Sequence, residues 1–320
     1  MLVCCRPSWL ALTSHLVHHD FANPGTTWAI CAQDVGMAPA RGWQELAEGL
    51  FTMPLETFRA NVGLVLGHER ALLVDTGASL AEGREVVQLA RQVAADLPLA
   101  AMNTHSHFDH CFGNGALEAE AIWGQRLCAE HLRWEGPVEQ RAVVARLRET
   151  DPQLARQVAS TPIVQPGCLF DDRTELDLGE RVVTLIHPGR GHTDNDGAVW
   201  VGDARVLFAG DLLEEGGPPS FEDSFPLDWP DTLGALLELG PDKLVPGHGA
   251  VVDSAFGRRQ QADLQQLADL ARSGFQASRR PIDFNADTAF PAPIAQIAVR
   301  RAYFQLTATP TGGWAVRQPG

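Results

Sequence analysis

His105, Ser106, His107, Phe108, Asp109 and His110 put four potential metal ligands into six residues, directly after an apolar run from Leu97 to Asn103. Imidazole and carboxylate together suit zinc or a similar first-row ion, and a hydrolytic centre needs such ligands gathered with one position left for water. If the run is a strand, alternate side chains share a face. His105 and His107 then project to one side, and a turn brings Asp109 and His110 towards the same space.

Three more ligand types follow apolar runs later in the chain. His192 stands in Pro188-Gly189-Arg190-Gly191-His192-Thr193, Asp211 closes Leu207-Phe208-Ala209-Gly210-Asp211, and His248 lies in Val245-Pro246-Gly247-His248-Gly249. Each has glycine beside it, which lets the backbone turn sharply around a bulky site. With the hexapeptide they make seven candidate metal ligands. Asp75, in Val74-Asp75-Thr76-Gly77, is expected to orient a ligand histidine or its loop by hydrogen bonding. Asp194 and Asn195 are candidates for substrate contact and equally for turn residues. Cys111 is expected to be a packed thiol, and His68, His131 and His187 fall outside the ligand pattern. His15, His18 and His19 have helical spacing without a neighbouring acid or cysteine pattern, and are read as solvated.

The elements that must position these residues alternate between strand and helix. Asn61 to Leu66 and Ala71 to Val74 read as a hairpin around Gly67-His68-Glu69-Arg70. Ser79 opens a helix with Glu82 in the capping-box position, and Val86, Val87, Leu89, Ala90 and Val93 form its buried stripe. Pro98 ends it, and the next strand delivers the histidine cluster at the C-terminal end, where α/β folds place their sites. Ala121 to Trp123 reads as a short strand, Gln125 to Thr150 as one or two helices, and the helical insertion spans about 125–160. Strands resume at Arg173 to Leu178, Val182 to His187, Ala198 to Val201 and Val206 to Ala209. The fold class is α/β, with two sheets and helices outside. Residues 1–42 form an N-terminal extension broken by Pro7, Pro24, Gly25, Gly36 and Pro39 and expected to be disordered, with Met37 an alternative start. Residues 43–257 form the catalytic domain, and 258–320 a helical C-terminal extension broken by Pro281, Pro291 and Pro293.

Composition narrows the partners. Lys plus Arg at 25 against Asp plus Glu at 40 leave a net charge of −15, which repels phosphate backbones and anionic lipid. Small molecules are the expected substrates, with no nucleic acid and no membrane partner. No apolar stretch approaches the roughly 20 residues of a membrane span, and the six cysteines form no CxxC pair. A cytoplasmic protein with reduced thiols is expected. The C-terminal helices are expected to border the pocket or to form a homodimer contact.

Five motifs in this order, from about Asn61 to Val251, resemble the metallo-β-lactamase superfamily of metallohydrolases: Val74-Asp75-Thr76-Gly77, the His-x-His-x-Asp-His cluster, and the Gly-His-Thr, Gly-Asp and Pro-Gly-His-Gly segments. The resemblance implies a four-layer αβ/βα sandwich with metals at one edge between the sheets. Carried over, His105, His107 and His192 would hold one metal, Asp109, His110 and His248 a second, and Asp211 would bridge both. Zinc, two per chain, is the expected cofactor, with iron or manganese as alternatives. Asp211 points to the dinuclear branch resembling glyoxalase II and the lactonases, because true metallo-β-lactamases commonly carry cysteine or serine there. No cysteine-glycine-arginine stretch follows Asp211, and the gap from His110 to His192 is long for a glyoxalase II. Tyr303, the only tyrosine, lies too far along to match the lactonases' active-site tyrosine.

The chemistry expected of this set is attack by a metal-bound hydroxide on a carbonyl, since zinc lowers the pKa of its water to roughly 7 and paired ions stabilise the leaving oxygen or sulfur. Asp109 would also orient the nucleophile. The leading activity is therefore hydrolysis of an ester, thioester, lactone or lactam. A mononuclear iron persulfide dioxygenase and a nuclease of the same fold are the alternatives, the last disfavoured by the charge. His107→Ala is expected to lose metal and activity together while circular dichroism shows the fold retained; full metal content with retained turnover would contradict the ligand assignment.

Overall fold

The computed structural model describes residues 42–117, 121–284 and 288–308. The N-terminal extension, with His15, His18 and His19, lies outside the described residues apart from Gly42. Twelve strands among the described residues form two sheets. The first has seven strands in sequence order: β1 (Gln44–Ala47), β2 (Leu50–Pro54), β3 (Asn61–Leu66), β4 (Ala71–Val74), β5 (Leu99–Asn103), β6 (Ile122–Gln125) and β7 (Cys168–Phe170). Strands β1 to β4 run antiparallel and β4 to β7 parallel. The second sheet has β8 (Arg173–Asp177), β9 (Val182–Ile186), β10 (Ala198–Val201), β11 (Val206–Glu214) and β12 (Lys243–His248), antiparallel except for the last pair.

Period-two burial splits each central strand between two cores. Leu72 and Val74 of β4, with Ala100 and Met102 of β5, pack between the sheets against Val183, Leu185, Val199, Val206 and Phe208. Their neighbours Ala71, Leu73, Leu99 and Ala101 face α1 (Leu80–Ala94) through Val86, Ala90 and Ala94. On the far side Leu207 and Ala209 join α6 (Trp229–Leu237), α7 (Ser254–Gln276) and α8 (Ala292–Thr307). The result is the four-layer αβ/βα sandwich. In α8 the buried positions are Ala295, Ala298, Val299 and Ala302, small residues that bring the helix close to its neighbours. Pro293 lies in the first turn of α8, where its missing N–H costs nothing, and so starts that helix instead of breaking it.

The insertion has two helices over the stretch from Gln125 to Thr150, as expected, and a third beyond it. It folds as α3 (Arg126–Trp134), α4 (Gly136–Thr150) and α5 (Pro152–Ala159), because Gly136-Pro137 and Asp151-Pro152 each stop one helix and open the next. Strand β11 also runs further than the apolar run to Ala209 suggests, so Asp211 sits inside a strand. Pairing with β12 carries the ladder on, with register shifts either side of Gly210. Strands β1, β2, β7 and β12 gave no separate periodic signal, being short, edge-placed or interrupted by proline.

The sheets approach closely where Gly63 of β3 faces Phe208 of β11: a Cβ on Gly63 would stand 2.4 Å from the ring. Gly63→Ala is expected to cost about 1–3 kcal/mol in urea unfolding. In a Phe208→Leu background the same substitution should cost measurably less, because the shorter side chain vacates that space.

Candidate metal centre

The hexapeptide is bent by contacts that its neighbours supply. After β5 ends at Asn103, the Asp75 carboxylate accepts from both Thr104 N and Thr104 Oγ1 at 2.8 Å, while Gly197 N donates to Thr104 O at 2.5 Å. These bonds turn the chain out of the sheet, so His105 and His107 lie on a loop and not on alternate positions of a strand. Ser106 N donates to Asn195 Oδ1 at 2.9 Å, tying the loop to the segment after β9. His107 then caps a one-turn helix, α2 (Phe108–Cys111), which swings Asp109 and His110 inward. Asp75 performs its task from a left-handed backbone, φ +62°, which aspartate tolerates better than most residues.

The remaining candidate ligands arrive from the second sheet. His192 follows β9 in a turn closed by the Asp196 carboxylate, which accepts from Thr193 N at 3.0 Å and Thr193 Oγ1 at 2.6 Å. Burial pushes the Asp196 carboxyl up to about 8 despite those two donors. Asp211 lies at the register shift in β11 and His248 ends β12. A Cβ on Gly247 would stand 1.7 Å from Asp211 Oδ1, so only glycine fits between the two ligand-bearing strands.

Every imidazole in the cluster has one nitrogen committed behind it. His192 Nδ1 faces Ser220 O at 3.3 Å and His248 Nδ1 faces Phe58 O at 3.0 Å; a carbonyl only accepts, so those nitrogens carry the proton. His110 Nδ1 donates to Asp75 Oδ2 and His107 Nε2 to Asp223 Oδ2, each at 2.9 Å. His105 Nδ1 lies 3.1 Å from Thr104 Oγ1, whose own proton goes to Asp75. Five lone pairs therefore point into one cavity: Nδ1 of His107 and Nε2 of the other four.

Inside, the donors fall into two groups, His105, His107, His192 and Asp211, and Asp109, His110 and His248. His107 Nδ1 and His192 Nε2 face each other at 2.9 Å, and His110 Nε2 and His248 Nε2 at 3.2 Å. Asp211 stands between the groups. Its Oδ1 is 3.2 Å from His110 Nε2, and its Oδ2 is 3.4 Å from His248, 3.5 Å from His192 and 3.9 Å from His105. His105 Nε2 and Asp211 Oδ1 are buried with no hydrogen-bond partner, a costly state for polar atoms unless a cation completes them. Two ligands on a tetrahedral zinc at roughly 2.0–2.1 Å stand about 3.3 Å apart, which the facing nitrogens approach. The donor set thus fits a first-row divalent ion in each group.

Without a cation, protons fill the gaps. Burial lowers His248, but the Asp211 carboxylate and then its own hydrogen bond and Asp109 outweigh it, leaving the ring at about 10. Burial also lowers His107, and Asp223 reverses this to about 10. His192 falls to about 4, because burial dominates the pull of Asp211. Asp211 is pulled well below the usual carboxylate range: burial raises it, and His110, His248, His105 and His192 together overcome that.

Of the other residues singled out by sequence, Asn195 is buried with its amide on Ser106 and Asp194, and Asp194 pairs with His131 Nε2 at 3.0 Å. His187 Nδ1 lies 2.6 Å from Asp196 O, and Cys111 Sγ donates to the carbonyls of Ser106 and His107. Asp223 had no signal: it is one of 40 acidic residues, in a segment without a motif. Glu139 of α4 was equally invisible. Its carboxylate accepts from Phe108 N at 3.1 Å and is pushed up to about 7 by burial, which His107 and that hydrogen bond only partly offset.

A family model described as the metallo-beta-lactamase superfamily matches residues 55–248. The acyl-coenzyme A thioesterase MBLAC2 of Bos taurus is 28% identical over 232 residues, covering 64% of this chain and 80% of that protein. The probable metallo-hydrolase YqgX of Bacillus subtilis is 27% identical over 172 residues, covering 52% and 71%. The metallo-beta-lactamase from Pontibacter korlensis shares the fold, with a TM-score of 0.56 at 18% identity over 71% of this chain and 99% of that one.

The facing nitrogens predict proton release. His107, His110 and His248 are each held protonated at neutral pH, and a cation must displace those protons, so zinc added to metal-free protein at pH 7.5 should liberate roughly two to three protons per chain. An indicator dye in weak buffer reads this directly. Zinc affinity should rise with pH between 6.5 and 10, because His107 and His248 surrender their protons over that window. Binding without proton release would contradict the tautomers assigned here.

Proposed function

The chain belongs to the metallo-β-lactamase superfamily of metal-dependent hydrolases, and within it we propose that it is a two-zinc hydrolase of acyl thioesters, with acyl-coenzyme A as the substrate class. The observation that carries the two-metal part is the Asp211 carboxylate, within 3.2–3.9 Å of nitrogens from both ligand groups. His105, His107 and His192 would hold one ion, Asp109, His110 and His248 the other, and Asp211 both. The thioester part is supported by the relatives described as acyl-coenzyme A thioesterases.

Bound there, zinc supplies a Lewis acid and lowers the pKa of water to roughly 7. The chain's own residues do the rest. Asp109, whose carboxylate is 3.5 Å from His248 Nε2 and 13% exposed, reaches the outer side of the cavity and accepts a hydrogen bond from an attacking water, fixing its direction. Asp75 and Asp223 hold the rings of His110 and His107 in place as charge moves. A thiol has a pKa near 8.5, so a thiolate departs without prior protonation, whereas the nitrogen of a lactam needs a proton delivered to it.

The test combines metal quantification on purified protein with a panel of acyl-coenzyme A thioesters, a lactone and a β-lactam. Two zinc per chain and preferred thioester turnover are expected. One iron per chain with oxygen uptake would replace this reading by a dioxygenase, and faster cleavage of the β-lactam would overturn the thioester assignment. Asp211→Ala should lower thioester kcat at least about 100-fold, as for a lost electrostatic or ligand contact at a reacting centre, and reduce zinc content.

A further inference from the structure

We propose that Arg301, on the C-terminal helix α8, is a positioning residue for the metal centre. It fixes the loop that aims Asp223 at His107. This rests on the reading of the seven residues as metal ligands, though not on the choice of substrate.

The loop from Ser220 to Asp228, between β11 and α6, backs two of the three imidazoles in the histidine-rich group. Asp223 Oδ2 accepts from His107 Nε2 at 2.9 Å, and Ser220 O accepts from His192 Nδ1 at 3.3 Å. No regular element holds this segment, so its shape depends on what grips it. Arg301 does so with two prongs: Nη2 donates to Asp223 O at 2.7 Å and Nε to Ser224 O at 3.1 Å. A planar guanidinium can hold two successive carbonyls in one orientation; an ammonium, a point charge, holds one at a time. One turn later Gln305 Oε1 accepts from Leu227 N at 3.0 Å, and Phe225 N donates to Gly191 O at 2.7 Å, joining the loop to the residue before His192. With its backbone fixed on both sides of the peptide, Asp223 has its carboxylate delivered to His107. The ring's orientation, and so the direction of the Nδ1 lone pair, follows.

Arg301 lies beyond the matched segment 55–248. The proposal therefore makes the C-terminal helices a working part of the site and gives α8 a role that packing alone does not explain. Partners that orient a ligand histidine typically alter metal affinity about 10–100-fold when removed. Arg301→Ala should produce a loss of that size.

The experiment measures zinc affinity of the full chain by competition with a chromophoric chelator. It compares wild type, Arg301→Ala, Arg301→Lys, Asp223→Ala, the double variant Arg301→Ala/Asp223→Ala, and Arg300→Ala, which removes an exposed arginine from the same helix. Arg300→Ala should match wild type, Arg301→Ala should lose about 10–100-fold, and Arg301→Lys should recover part of that. Because Arg301 acts through Asp223, the double variant should be no weaker than Asp223→Ala alone. A purely structural role would make the two losses add. Wild-type affinity in Arg301→Ala, or additive losses, overturns the proposal. If Arg301→Ala does not fold, the same cycle run with Arg301→Lys decides it by the same criterion. Failure of wild type to bind zinc would instead overturn the metal reading itself, and with it this inference.

Discussion

The constraint on which the structure depends is that five imidazoles are each turned by an acceptor behind the ring, so their free lone pairs converge. Lone pairs facing one another at 2.9 and 3.2 Å repel unless something positive lies between them. The buried Asp211 carboxylate, which the surrounding imidazoles hold in its charged form, sharpens the need for positive charge in the cavity. A metal cation would take the place of the protons that otherwise fill these gaps. The acceptors come from four separate segments: Thr104 after β5, Asp75 after β4, Phe58 between β2 and β3, and Ser220 and Asp223 after β11. No one element makes the site, and both sheets must be in register for it to exist.

That dependence explains where the fold permits no side chain. Gly247 leaves Asp211 its place between two parallel strands, and Gly210, at φ +54°, lets β11 shift register so that the next residue turns inward past Thr104. A methyl at either position would meet Asp211 or Thr104 at 1.7 or 2.7 Å, and the ligand or its support would have to move. Asp211 is consequently aimed by backbone geometry, and both its oxygens face the cavity's imidazoles.

The candidate ligand types were legible because metal chemistry restricts them to a few residues and the chain groups four within one hexapeptide. Layer order was legible because strands buried on both faces, such as Leu99–Asn103, and one-faced helices, such as Leu80–Ala94, write different periods. What faces the ligands from behind was not. A backbone carbonyl such as that of Phe58 or Ser220 carries no residue identity, and Asp223 acts only because the loop is folded next to a helix some 80 residues further on, as seen in its bond to Arg301. The bend at Thr104 was hidden for a similar reason, since it comes from Asp75 on the neighbouring strand and not from turn residues in the loop itself.

The two ligand groups are supported in different ways. The group of His105, His107 and His192 leans on packed structure: Phe108 is buried among Phe112, Leu132, Val143 and Leu147 of the insertion, Glu139 caps the helix that follows His107, and α8 grips the loop bearing Asp223. The group of Asp109, His110 and His248 leans on backbone held in the left-handed region, at Asp75, Phe58 and Arg59, with φ of 62°, 52° and 58°. Such conformations cost of order 1–3 kcal/mol each and persist only where other contacts over-determine them. Asp75 has four such bonds, to Thr104 N, Thr104 Oγ1 and His110 Nδ1 and from its own amide to Met102 O. Phe58 has fewer: its carbonyl takes the His248 proton at 3.0 Å and its ring meets Phe108 edge-on at 5.7 Å. The loop from Leu55 to Ala60 and the ring of His248 thus fix one another, and the second group's geometry is tied to two consecutive left-handed residues, Phe58 and Arg59.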